Sequence, residues 1–331
     1  MSKEPKTLQA AIVYFADPDN CVSYLVARRW PDGVVMCPTC GSDKVAYVPT
    51  RRVWQCKTRH PKAQFSIKIG TIFEDSPIGL DKWLMAMWML ANCKNGVSSW
   101  EIHRSLGITQ KSAWFMLHRI RLALGQKPET KLGGGSDGGP VEVDESFVGG
   151  DPKNWHLSKR GKRKRFIDPD VKIKSEKTAV VGLLDRDARE VRANVVPNVS
   201  RETLQDAILA NIEGGSTVYT DAAKQYHNLK ALEYVHEAVN HMEEYVRGEV
   251  HTNGLENFWA LLKRGLKGTY VAVEPFHLDR YVTEQVFRYN NRNTLRRPMN
   301  DGDRFSLAVS QILGKRITYK ELTGKDQARP F

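Results

Sequence analysis

Three acids in the second half of the chain stand where a carboxylate can do more than close a turn. Asp144 lies inside the alternating apolar stretch Val141-Glu-Val-Asp-Glu-Ser-Phe-Val148, and Asp221 ends the short run Thr217-Val-Tyr-Thr. Glu256 opens a helical segment that begins Asn253-Gly-Leu. Alternation sets Val141, Val143 and Glu145 on one strand face and Glu142, Asp144 and Ser146 on the other. At about 100° per residue, Leu255, Phe258, Trp259, Leu262 and Leu266 form one helical stripe, with Glu256 and Lys263 together on its flank. Each acid alone reads as a turn or capping residue, and Glu256 can form a capping-box pair with Asn253. Gathered on one small sheet without matching cations, they repel one another, and a divalent ion relieves that. Two such ions about 4 Å apart clamp the attacking and leaving oxygens of a phosphodiester exchange.

A second constellation points to a softer metal. Cys37-Pro-Thr-Cys40 is followed by Cys56 and His60. A Cys-x-x-Cys turn offers two thiolates to one tetrahedral ion, and a second pair closes the shell. The intervening short strands have little core of their own and need such a staple. The expectation is one structural zinc ion on Cys37, Cys40, Cys56 and His60. Cys21 and Cys93 read as core residues.

The elements that must position these groups are legible in outline. Residues 126–140 contain Gly133-Gly-Gly-Ser-Asp-Gly-Gly139, a linker that cannot pack a core. Before it come two short helices between Thr7 and Arg29, split by Asp17-Pro-Asp-Asn. Short strands follow from Cys37 to Phe73, then a helix from Leu80 that is apolar nearly all round and therefore buried. Ser98-x-x-Glu101 is a capping box opening a short helix that ends at Leu106-Gly107, and Thr109 caps a longer one. This pair reads as a helix-turn-helix whose second helix leaves Gln110, Lys111, Ser112, His118, Arg119 and Arg121 free for nucleic acid. After the linker, strands at 141–148, 177–184, 189–196 and 217–221 enclose a helix capped by Ser200.

Charge supports a polyanionic partner. The chain of 331 residues has 50 Lys and Arg against 38 Asp and Glu, a net charge of +12. Half of that excess falls between Asp151 and Lys177, around Lys159-Arg-Gly-Lys-Arg-Lys-Arg165. Like charges so dense repel until phosphates neutralise them. Lys162 and Arg163 at its centre are candidate phosphate contacts. Five cysteines are too few for a disulfide scaffold and suit a reducing compartment. No apolar run approaches the roughly twenty residues of a membrane span, and the N-terminus lacks the pattern of a signal peptide.

The sequence resembles the bacterial insertion-sequence transposases of the DDE type that carry a zinc ribbon, a helix-turn-helix and an RNase H-like catalytic domain. The residues that carry the resemblance are the Cys37/Cys40/Cys56 ribbon, Phe65 to Pro77, Ala113-Trp-Phe-Met-Leu-His-Arg119 and Val143-Asp-Glu-Ser-Phe-Val-Gly-Gly150. Thr220-Asp221, His251-Thr-Asn-Gly-Leu-Glu256, Lys263-Arg264 and Arg288-Tyr-Asn-Asn-Arg292 extend it. The His in the second zinc knuckle departs from the family pattern. The resemblance implies an α+β multidomain chain: N-terminal helices (1–36), zinc ribbon (37–76), helix-turn-helix (77–125), Gly-rich linker (126–140), an α/β RNase H-like mixed-sheet catalytic domain (141–298) and a C-terminal tail (299–331). It implies two Mg²⁺ (or Mn²⁺) ions on Asp144, Asp221 and Glu256, with Lys263 on a phosphate. It further implies double-stranded DNA, both transposon ends and target, as partner, a homodimer or higher assembly on that DNA, and a cytoplasmic, nucleoid-associated location. The rival readings are an RNase H-like nuclease or resolvase, and a DNA-binding regulator with a degenerate transposase domain.

Overall fold

The computed structural model describes residues 4–125, 128–134, 138–149, 177–221, 224–226, 229–239, 250–295 and 297–324. The basic run from Lys159 to Arg165, with Lys162 and Arg163, lies outside the described residues. The chain divides into two compact units, residues 1–126 with 291–331, and residues 127–290.

In the first unit, Thr7 caps α1 (Leu8–Phe15) and Asp17 caps α2 (Pro18–Arg29), where Pro18 begins the helix at a position that needs no N–H donor. Three short antiparallel strands follow, β1 (Val45–Val48), β2 (Val53–Cys56) and β3 (Gln64–Ser66), in that spatial order. The helix expected from Leu80 is α3 (Leu80–Asn92), and eight of its residues are buried, as its all-round apolarity requires.

Residues 301–310 are not a tail. Asn300 and Asp303 form a capping box at the start of α9 (Asp301–Ser310), whose Phe305 is fully buried. Its ring lies 5.7 Å from Phe15, 5.6 Å from Tyr24 and 4.9 Å from Trp88. The apolar spacing Phe305, Ala308, Val309 carries the reason: it makes one helical face that must be covered.

The helix pair forms as its caps dictate. Ser98 and Glu101 complete the capping box of α4 (Ser99–Leu106), Gly107 turns the chain at φ 60°, and Thr109 caps α5 (Gln110–Leu124). The expected exposure of α5 is corrected. His118, Arg119 and Arg121 are buried rather than free, and the Arg119 guanidinium donates to the Glu74 carbonyl at 2.7 Å while lying against Trp83 and Phe115. Long cationic stems cover apolar surface readily, which periodicity alone does not reveal. Only the first turn stays open: Lys111 is exposed, with Gln110 and Ser112 half-buried.

The second unit is a five-stranded mixed sheet between helices. β4 (Val141–Val148), β5 (Thr178–Asp185) and β6 (Glu190–Val196) run antiparallel in sequence. On the other side of β4 lie β7 (Thr217–Asp221) and β8 (Val235–Val239), both joined in parallel, so the spatial order is β6-β5-β4-β7-β8. This is an RNase H-like arrangement. On one face α6 (Arg201–Asn211) packs Leu204 and Ile208 against Val141, Val143, Val181 and Leu183. On the other, α7 (Asn253–Gly265) and α8 (Leu278–Asn290) pack Leu255, Phe258, Trp259 and Val282 against Val180, Leu184 and Val191. The period-2 split of β4 and β5 is thus observed: odd positions of β4 meet α6, and Glu142 and Asp144 face α7.

Candidate active site

The centre of this sheet sets Asp144 and Asp221 on one face, and the charges of Asp221 and Glu256 both reach Asp144, but among the described residues the three acids are not clustered with ligand atoms within 4.8 Å of one another. β4 and β7 pair in parallel at Val141 with Val218 and at Glu142 with Tyr219. Carried two residues further, that register sets Asp144 beside Asp221, on the face that α7 covers. Trp259 of α7 donates its indole N–H to Asp144 Oδ2 at 2.9 Å. Asp144 pairs across β5 with Gly182, and a Cβ there would stand 2.6 Å from the Trp259 ring. Glycine at 182 is therefore what lets the indole lie flat on β5 and reach the carboxylate.

Glu256 is exposed in the first turn of α7, and it is not spent on capping. The N-cap is Thr252, whose side chain makes no cap bond. Glu142 instead accepts the Leu255 N–H at 2.9 Å, so a residue of β4 closes the helix start. Lys263 is exposed two turns further along α7.

Electrostatics single out Asp144 on this face. Burial holds the Asp144 carboxyl above the ordinary aspartate range. The Trp259 and Glu145 N–H groups pull it back, and the Asp221 and Glu256 charges push it up again. Glu145, on the opposite face of β4, is pushed to about 7, mainly by burial, with Asp221 and Asp144 adding to the shift against a lowering by Tyr226. Neighbouring carboxylates that raise the proton affinity of Asp144 set negative charges close together, and their hard oxygens suit divalent cations. Sequence reasoning did not identify Trp259 as the partner of Asp144. Its signal was present in the Asp144 face of β4 and the Trp259 stripe of the helix.

The zinc ligands assemble in the first unit. Cys37 and Cys40 flank a tight turn closed by Gly41 N–H to the Cys37 carbonyl at 2.8 Å, with Gly41 at φ 69°. Cys56 ends β2. The four ligand atoms of Cys37, Cys40, Cys56 and His60 lie within 4.8 Å of one another, and among the described residues they are the one group of three or more such side chains so clustered. Cys40 and Cys56 sulfurs are 3.7 Å apart, and Cys37 Sγ is 3.5 Å from His60 Nε2. An ion held by thiolates at about 2.3 Å in a tetrahedron spaces them about 3.8 Å apart. His60 Nδ1 donates to the Pro61 carbonyl at 2.6 Å, which leaves Nε2 as the ligand atom. Burial pushes the Cys56 thiol up, but hydrogen bonds from His60 and Thr58 outweigh it and bring it down to about 6, toward the thiolate a metal needs. The set fits a structural zinc ion.

At the opening of α5, Lys111 lies over the Tyr319 ring at 4.6 Å, and Gln110 donates to Ser99 Oγ at 2.9 Å. Arg119 takes no part in this surface.

The RNase H-like sheet and the Cys3His cluster agree with what comparison with known proteins finds. Residues 137–290 match the ISXO2-like transposase domain, and residues 16–58 match the transposase zinc-ribbon domain. The chain thus carries a transposase domain and a transposase zinc-ribbon domain. It is 28% identical over 260 residues to an uncharacterized protein in transposable element ISH50 of Halobacterium salinarum, covering 76% of this chain and 84% of that one. Among solved structures, a chain of the simian T-cell lymphotropic virus intasome in complex with PP2A regulatory subunit B56 gamma overlays at TM-score 0.30 and 14% identity. That overlay covers 67% of this chain and 74% of the other.

Proposed function

We propose that this protein cuts and joins DNA as the transposase of an insertion sequence, binding the element's terminal inverted repeats. Asp144, Asp221 and Glu256 would hold two Mg²⁺ or Mn²⁺ ions, which would supply activation of water or a DNA 3′-OH and stabilisation of the leaving oxygen. The single observation that carries the reading is the crowding at Asp144: a half-buried carboxylate on β4 whose charge is opposed by one acid from β7 and another from α7. No covalent protein–DNA intermediate is needed. Lys263 holds a phosphate beside the acids, and Gln110, Lys111 and Ser112 at the start of α5 meet base edges, as the first turn of a recognition helix does. Lys162 and Arg163 track phosphates without reading sequence. The working form is a homodimer or higher assembly on double-stranded DNA. No helix among the described residues is long and apolar enough to cross a membrane.

The test uses the DNA flanking the gene as substrate. Asp144→Asn, Asp221→Asn and Glu256→Gln each abolish cleavage and strand transfer while end binding survives, because each removes a metal ligand and keeps its shape. Cleavage by any of the three at near wild-type rate removes that residue from the triad. Cleavage without strand joining by the wild-type protein favours the nuclease reading.

A further inference from the structure

Next to the three acids lies a polar cluster, built on the buried Glu142 and the half-buried Arg186 and His251, that the proposed chemistry does not use. Glu142, with its side chain only 2% exposed, accepts the Arg186 Nε–H at 2.7 Å on one oxygen and the Leu255 N–H at 2.9 Å on the other. Arg186, in the turn after β5, also donates through Nη2 to the His251 carbonyl and to His251 Nδ1, both at 2.6 Å. With an arginine N–H aimed at it, Nδ1 acts as the acceptor, so the imidazole proton sits on Nε2. The guanidinium also lies 4.8 Å from the centre of the Tyr219 ring.

These contacts have a common geometry. Glu142 is two residues before Asp144 on β4, Tyr219 is two residues before Asp221 on β7, and His251 is five before Glu256 at the entry to α7. One guanidinium therefore touches each acid-bearing element a short step from its acid. A planar fork with five donors can serve several acceptors at fixed angles, which a lysine amine cannot. The approach is close throughout: a Cβ on Gly254 would stand 2.9 Å from Glu142 Oε2. Burying the Glu142 carboxylate is an expensive way to hold a fold together, since apolar residues of the same volume often do as well.

We infer that Arg186, paired with Glu142, is the positioning residue of this active site, setting the mutual spacing of Asp144, Asp221 and Glu256. It touches no reacting atom itself. The inference rests on the proposed metal-binding role of those acids.

The experiment measures Mn²⁺ binding to the full-length, zinc-loaded protein by the electron paramagnetic resonance of the free ion, beside the thermal midpoint of each variant. Arg186→Lys keeps the charge and loses the fork. It is expected to fold, to melt a few degrees lower, and to weaken Mn²⁺ binding at least tenfold, with Asp144→Asn and Glu256→Gln weakening it as much or more. Glu142→Gln, read the same way, serves if Arg186→Lys does not fold. A residue that only stabilises the fold moves the thermal midpoint and leaves Mn²⁺ affinity alone. Folded Arg186→Lys or Glu142→Gln protein with affinity within twofold of wild type, while the triad variants lose it, therefore overturns this inference alone. Triad variants that bind Mn²⁺ like wild type overturn the reading beneath it as well, and the inference with it.

Discussion

Adding one methyl group at Gly182 tests the packing that presents Asp144. The new Cβ would stand 2.6 Å and 2.8 Å from two carbons of the Trp259 six-membered ring and 3.1 Å from Leu255. No real Cβ tolerates the first two distances, so the indole must tilt off β5. Overpacking a core by one carbon costs about 1–3 kcal/mol. Tilting to escape it gives up the 2.9 Å bond to Asp144, and a hydrogen bond to a charged group is worth about 1.5–3 kcal/mol. The indole relieves one strain only by accepting the other, so Gly182→Ala should cost about 2–4 kcal/mol rather than the full sum. For a unit the size of residues 127–290, that lowers the thermal midpoint by roughly 5–12 °C. Scanning calorimetry of Gly182→Ala, Trp259→Phe and the double variant separates the causes. The shorter Phe ring leaves room for the new methyl, so the double variant should recover about 1 kcal/mol or more of coupling energy. Gly182→Ala that melts within about 2 °C of wild type, or strictly additive losses, would refute the idea that this glycine exists to seat the indole.

Asp144→Asn should stabilise the metal-free protein at neutral pH. The folded state raises this group's proton affinity, so it binds more protons than the unfolded chain, and stability falls as pH rises from the ordinary aspartate range through the raised value. The advantage of Asn over Asp in calorimetry should therefore shrink on acidification below the ordinary range, and an advantage independent of pH would contradict it. Cys37→Ser should release the single zinc ion and loosen β1–β3, whereas His60→Ala should weaken zinc more than tenfold without abolishing it. Metal analysis after dialysis checks both. Arg119→Ala should cost about 2–4 kcal/mol by exposing the Glu74 carbonyl and the Trp83 face, and should leave the salt dependence of DNA binding unchanged. Replacing four of the Lys and Arg residues between Lys159 and Arg165 by Gln should weaken binding to all duplexes alike. The slope of log affinity against log salt should then fall by roughly three or four.

The parts of this molecule that local chemistry decides were legible in the sequence. Capping residues at Asp17, Ser98, Thr109 and Ser200 start helices where they stand, and strict alternation in β4 sorts Val141 and Val143 from Glu142 and Asp144. The Cys-x-x-Cys knuckle reads as metal because its spacing leaves few other uses. What stayed hidden depends on partners far away in the chain. Arg119 looks like a free cation on a helix until Glu74 and Trp83 are known to lie beside it. Asn253 and Glu256 look like a capping pair until Glu142, more than a hundred residues earlier, takes the Leu255 N–H. Residues after 298 look like a tail until Phe15, Tyr24 and Trp88 are seen to need Phe305.

The same contrast separates the acids from their supports. An acid that caps a turn has found its positive partner locally and has little left for a metal. Thr252 heads α7 without a side-chain cap, Glu142 supplies the missing acceptor from β4, and Glu256 is thereby left exposed in the first turn. Trp259 holds Asp144 by an N–H donor, which fixes direction without neutralising charge. Orientation is thus provided by groups that leave the carboxylates negative, and the surplus negative charge at Asp144 is the cost of keeping them so. On the proposed reading the acids must keep their charge for a cation, and the two carboxylates that oppose Asp144 and the helix cap borrowed from Glu142 both serve that condition.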